Sequence, residues 1–324
     1  MRQRTALKDF RSVLDFEPSD VKRCLDLARW LKDERRHGGT ASTATALGGR
    51  HVALLFDKPS LRTHSTFQIA THELGGQVLD VPAEVALGSR EPLADVARNL
   101  SRWVDVIVIR TFAQAIVEGF AAAAPDLHVI NALTDQEHPC QALADFLTLQ
   151  ERWGQLGGRT LAFVGDGNNV AASLAHAGAM LGVHVRLACP DDHQLSDRVV
   201  REAEAVARGG ATIRRFRDPH DAVRGADAVY TDVWTSMGQE EEAAERRQAF
   251  AAYQVNAALM AAAAPRAVFM HCLPAHRGEE VSAEVLDSAA SVVFEQADNR
   301  LHTGKALLLM LAAPMTLTYQ PAFS

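Results

Sequence analysis

The chain has 324 residues, 48% hydrophobic and 23% charged, with a formal net charge of −7. That balance belongs to a globular protein with room for two separate cores and excludes a disordered or fibrous one. Acidic and basic residues are interspersed, without the basic, aromatic-interleaved patch that would bind nucleic acid. No stretch approaches the ~18 uninterrupted apolar residues of a membrane span, so no membrane partner is expected. The charged start "MRQRTALKDFRSVLDF" lacks an apolar signal region, and a cytoplasmic location is expected. Cys24, Cys140, Cys189 and Cys272 have no paired CxxC spacing, which argues for reduced thiols over a disulfide framework or a zinc site.

In chain order, the apolar run 51–56 "HVALLF" predicts a strand, and the turn after it reads "KPSLRTHSTF" before a helical segment ending in "ELGG". Amides at a helix N-terminus carry partial positive charge. With Lys58, Arg62 and His64 among the hydroxyls of Ser60, Thr63 and Ser65, they make a receptacle for an anion. The plainer reading, an ordinary cap by Ser60 amid solvated charges, is equally open. A strand at 105–109 "DVIVI" leads on to "HPCQ", 138–141, where Pro139 suits a first helical turn. His138 and Gln141, three apart, can then face one small ligand, although His-Pro alone is a common way to begin a helix.

A boundary falls near 150–160, dividing a domain 1–150 from a domain 151–324. Further strands are predicted at 160–164 "TLAFV", 183–188 "VHVRLA", 227–231 "DAVYT" and 267–270 "AVFM". Near-continuous apolarity fits strands buried on both faces. The fold class is therefore α/β, with two domains, each a parallel sheet flanked by helices. The last helix, "TGKALLLMLAAPMTL", follows the second sheet and is expected to pack back on the first domain.

Three motifs follow strands of the second half. "GDGNN", 165–169, has a nucleotide-type glycine turn but puts Val170 where G-x-G-x-x-G needs glycine; Asn168 and Asn169 instead offer amide groups at a strand end. In "TDVWTSMGQE", 231–240, Asp232 can pair an ammonium group. With the polar residues that follow, to 247, this segment is expected to move as a lid. In "MHCLPAHRGEE", 270–280, His271 and Cys272 point to opposite faces of an extended chain, so a direct dyad is not expected. By itself Cys272 reads as a buried apolar thiol.

Taken together, "SLRT", "IRTF", "HPCQALAD", "GDGNN", "DVWTSMGQE", "HCLPAHRGEE" and "ADNRLHTGKALL" occur in the order and spacing of the ornithine carbamoyltransferases, and the chain resembles that family from about 50 to 310. The resemblance implies transfer of the carbamoyl group of carbamoyl phosphate to the δ-amine of L-ornithine, giving L-citrulline and phosphate in arginine metabolism. No cofactor and no metal is implied. It assigns Ser60, Leu61, Arg62, Thr63, Arg110, His138, Gln141, Cys272, Leu273 and Arg300 to carbamoyl phosphate, and Asn169, Asp232, Ser236 and Met237 to ornithine. Arg110, His138 and Cys272 are the implied catalytic residues. A homotrimer with active sites near subunit boundaries is also implied.

Two departures matter. Leu61 replaces the second residue of the family's "STRT", and Ala86 stands where the family has a glutamine that reaches the phosphate from a neighbouring subunit. Lys58 or Arg90 could compensate. Rival readings are a carbamoyltransferase for putrescine, aspartate or an N-acylornithine, an NAD-dependent dehydrogenase using "GDGNN", and a non-catalytic binding or scaffold protein.

Overall fold

A computed structural model of the chain describes residues 7–38, 41–58, 60–88, 90–235 and 240–313. It divides into two compact units, one made of the chain up to Leu147 together with the part from Asn299 onward, the other of Thr148–Asp298.

The first unit holds a four-stranded sheet of β1 (His51–Phe56), β2 (Gln77–Val81), β3 (Val106–Arg110) and β4 (His128–Leu133) in the order β2-β1-β3-β4. All pairings are parallel, and Phe56 of β1 lies beside Arg110 of β3. The two central strands are aliphatic because both faces are covered: Val52–Leu55 and Val106–Ile109 are buried. On one face Leu55, Ile107, Ile109 and Val129 pack with Val96 and Leu100 of the helix Leu93–Leu100 and with Val117 and Phe120 of the helix Gln114–Ala123.

The expected return of the last helix is borne out. In Val293–Ala312, Asn299 accepts from the buried Lys32 ammonium at 2.6 Å, and Lys305 pairs with Glu73 of the helix Leu61–Glu73 at 3.1 Å. Gly304 faces the Phe67 ring of that helix, where even a Cβ would make only ordinary van der Waals contact, at 3.7 Å.

The second unit holds β5 (Thr160–Val164), β6 (His184–Ala188), β7 (Ile213–Phe216), β8 (Ala228–Thr231) and β9 (Val268–His271), all parallel, in the order β7-β6-β5-β8-β9. Its core joins Ala162, Val164, Val229 and Phe269 of the sheet to Val223, Leu259, Val285 and Val293. The six strands expected from sequence are present within a residue of their predicted bounds; β2, β4 and β7 were not anticipated.

The strand orders locate the crevices. In an open parallel sheet, ligands bind beyond the carboxyl ends of the two strands where the direction of winding reverses. Those pairs are β1 and β3 in the first sheet and β5 and β8 in the second. Arg110 closes β3 there, and the segments leaving the other strands contain Ser60–Thr63, Gly165–Asn169 and Asp232.

Candidate active site

In the first unit the helix Leu61–Glu73 begins beyond the end of β1, with Ser60 at its cap position but without a capping bond from the Ser60 side chain. The plain capping reading is therefore not met. Leu61 is 80% exposed, Arg62 is half-buried and Thr63 is buried. Arg62 forms no ion pair among the described residues. Arg110 closes β3, where a register shift against β4 falls between Ile109 and Arg110.

His138 immediately precedes the helix Pro139–Trp153, which carries Gln141 in its first turn, and both side chains are buried. Arg300, from the last helix, joins this group: its guanidinium donates to Gln141 Oε1 at 2.8 Å and to the Thr63 hydroxyl oxygen. Gln141 in turn donates to Asp145 at 2.8 Å, which fixes its amide orientation. Burial first, and then the positive charges of Arg300 and Arg110, push the His138 pKa well below the ordinary histidine value. A neutral imidazole flanked by two guanidiniums, a hydroxyl and amides at a helix start is suited to an anion with a polar carbonyl.

In the second unit Asp232, just past β8, is the focus. Its Oδ1 accepts from the Cys272 thiol at 2.9 Å and from the Val233 amide at 2.8 Å; its Oδ2 accepts from Asn168 Nδ2 at 2.9 Å. Asn168 also caps the helix Asn169–Met180, its side chain accepting from the Val170 and Ala171 amides. Asn168 thus touches Asp232, and Asn169, which the resemblance assigns to ornithine, begins the helix. Cys272 is half-buried and hydrogen-bonded, which corrects the reading of a buried apolar thiol.

His271, the last residue of β9, is fully buried. Its Nδ1 accepts from the Leu273 amide at 2.8 Å, so the proton lies on Nε2, which donates to the buried Glu280 at 3.2 Å. Leu273 has φ +57°, a left-handed conformation that costs a branched side chain energy. Ser236 and Met237 lie outside the described residues. The chain after them is better anchored than its composition predicts, since Arg246 and Phe250 of the helix Ala243–Phe250 are buried.

Asp232, His271 and Cys272 carry ligand atoms within 4.8 Å of one another, a spacing that would suit a metal ion. Both His271 nitrogens and the thiol are, however, engaged in the bonds above. The glycine turn does not form a phosphate cradle. A Cβ on Gly167 would lie 2.3 Å from the Leu195 backbone nitrogen, and the Gly167 amide donates to the His193 carbonyl at 2.9 Å. The second glycine of the turn is thus packed against the backbone of 193–195, and its amide is already engaged.

Two parallel-sheet units, one presenting guanidiniums beside a buried imidazole and the other a carboxylate beside a thiol, define a class. Residues 8–151 match the carbamoyl-P binding domain of the aspartate/ornithine carbamoyltransferases, and 157–311 match their Asp/Orn binding domain. The chain belongs to the aspartate/ornithine carbamoyltransferase family. Within it, the ornithine carbamoyltransferase of Parasynechococcus marenigrum (strain WH8102) is 51% identical over 94% of this chain and 93% of its own length. That of Symbiobacterium thermophilum is 48% identical over 94% and 98%. The solved ornithine carbamoyltransferase from Pyrococcus furiosus superposes with a TM-score of 0.90 at 44% identity, covering 94% of this chain and 97% of that one.

Proposed function

We propose that this chain transfers the carbamoyl group of carbamoyl phosphate to the δ-amine of L-ornithine, giving L-citrulline and phosphate. The observation that carries the reading is the Arg300 fork, which ties Thr63 and Gln141 together beside a neutral His138. On this reading residues 1–150 bind carbamoyl phosphate and 151–324 bind ornithine, with the last helix returning Arg300 to the first domain.

Arg62 and Arg110 neutralise the phosphate and ease its departure, with Ser60 and the Leu61 amide at the helix start as further donors. Thr63 accepts from Arg300 and so has its own O–H to donate. With Arg110 and His138 it meets the carbonyl oxygen as negative charge develops there. Gln141 holds the carbamoyl nitrogen. Asp232, with Asn169, Ser236 and Met237, takes the amino-acid end of ornithine, and its neutral δ-amine attacks near Cys272 and Leu273. The Cys272 thiol donates to Asp232 and so shapes the environment of the amine, and the transfer needs no acyl intermediate on its sulfur. The acyl group arrives already activated.

The wider reading is a cytoplasmic homotrimer in arginine metabolism. Citrulline formation measured over ornithine, putrescine, aspartate and N-acetylornithine tests the substrate. Ornithine should be preferred by orders of magnitude in kcat/KM, and preference for any of the others would remove it from the reading.

A further inference from the structure

We propose that Arg246, paired with Asp166, is a positioning residue for the amino-acid half of the site, setting the requirement for ornithine through Asp232 and Trp234. This rests on the ornithine-transfer reading above. The Arg246 side chain is 6% exposed and Asp166 13%. Its Nη2 donates to Asp166 Oδ2, and its Nε donates to the Trp234 carbonyl at 2.5 Å.

These bonds close a ring. Asp166 lies two residues before Asn168, Asn168 donates to Asp232, and Trp234 lies two residues after Asp232. Arg246 links the two outer members, so Asp232 sits midway between points clamped by one guanidinium. A second clamp acts on the side chains: the Trp234 ring stacks on Phe250 at 6.1 Å between centroids and 22° between planes, and the Arg246 guanidinium lies over the same Phe250 ring at 5.2 Å.

The ring also sorts two carboxylates. Burial raises the Asp166 pKa, Arg246 and His193 oppose that rise, and Asp232 adds to it by repulsion. With Arg246 committed to Asp166, Asp232 is the carboxylate left to attract an ammonium group. A buried ion pair contributes little net stability compared with an apolar substitute, and its value here lies in geometry. Arginine is needed because its planar fork reaches a carbonyl and a carboxylate at once, whereas a lysine ammonium on a single stem is a point charge.

The test uses the full chain and initial rates against each substrate, with folding checked by a cooperative melt. Arg246→Met should raise KM for ornithine on the order of tenfold or more, while KM for carbamoyl phosphate moves less than about twofold. Arg246→Lys should recover part of the ornithine KM. An unchanged ornithine KM, or equal rises in both constants, would overturn the inference. If Arg246→Met does not fold, Asp166→Asn decides. It keeps an acceptor for Arg246 but removes the charge, and it should raise the ornithine KM several-fold with the same selectivity. No rise in that variant overturns the proposal. Wild-type protein inactive with ornithine would overturn the transfer reading and this inference together, whereas active wild type with unmoved variants would overturn the inference alone.

Discussion

Arg62 is half-buried next to Thr63, which Arg300 ties to Gln141, and on the proposed reading it meets the phosphate. Arg62→Ala should therefore leave the fold intact and lower kcat/KM for carbamoyl phosphate on the order of 10²-fold or more, about 3 kcal/mol of transition-state stabilisation. Unaltered kinetics in a folded variant would remove the guanidinium from the phosphate. His138 predicts a pH response. Its depressed pKa keeps the ring neutral through the range in which an ordinary histidine titrates, so kcat at saturating ornithine should show no inflection near the usual value of about 6.5. The same depression means the unfolded chain takes up this proton more readily. The stability His138 contributes is present above the ordinary histidine pKa and is lost as pH falls below it. An acid limb centred on about 6.5 that vanishes in His138→Asn would contradict the neutral assignment. Residue types were legible here because each carries its chemistry in its name; the partnerships were not. Asn168 and Asn169 are indistinguishable in "GDGNN", and only the helix start decides which one turns to Asp232.

Among elements, the six strands read from sequence are mostly apolar runs in the interiors of the sheets, whereas two of the three missed ones are exposed edges. β2 has only half-buried and exposed residues, and β7 carries Arg214 and Arg215 outward. β4 is a different case. It is buried, but His128 and Asn131 interrupt its apolar run, and the Asn131 amide is satisfied by the Arg11 carbonyl at 2.8 Å, a contact across distant sequence that no local pattern discloses. In the short helix Ala83–Ala86, Ala86 is 5% exposed and belongs to the core of the first unit. Ala86→Gln should cost about 1–3 kcal/mol by overpacking, without improving the affinity for carbamoyl phosphate. Urea melts and the carbamoyl phosphate KM check this, and a stable variant that binds more tightly would contradict it. The last helix rests partly on Glu73, whose pKa burial tends to raise but Arg35 and Lys305 lower overall. Its stabilising effect is thus present above the ordinary carboxylate pKa and is lost as pH falls below it. Glu73→Gln leaves the Lys305 ammonium, 2% exposed, without this partner. The expected loss is about 1–3 kcal/mol at neutral pH, less than for a fully buried pair because Glu73 is itself 28% exposed, and it should shrink toward zero at acid pH.

For the whole molecule, the nucleophile sets the direction of the pH profile. An amine of reference pKa ~10.4 is mostly protonated at neutral pH, so kcat/KM for ornithine should climb from pH 6 to 9. A steady fall over that range would count against amine attack. The repeated α/β pattern made two parallel sheets legible, because buried parallel strands must be apolar along their length. That the first unit is assembled from two separated stretches could be read only as far as the last helix following a completed sheet. Its consequence concerns time rather than space. During synthesis the second unit, continuous from Thr148 to Asp298, is complete before the first has received Lys305 or the Arg300 fork. On the proposed reading, a ribosome-bound chain that has emerged to residue 298 therefore has Asp232 and Cys272 in hand but not Arg300, and carbamoyl phosphate is expected to stabilise the nascent protein only after the helix Val293–Ala312 is made.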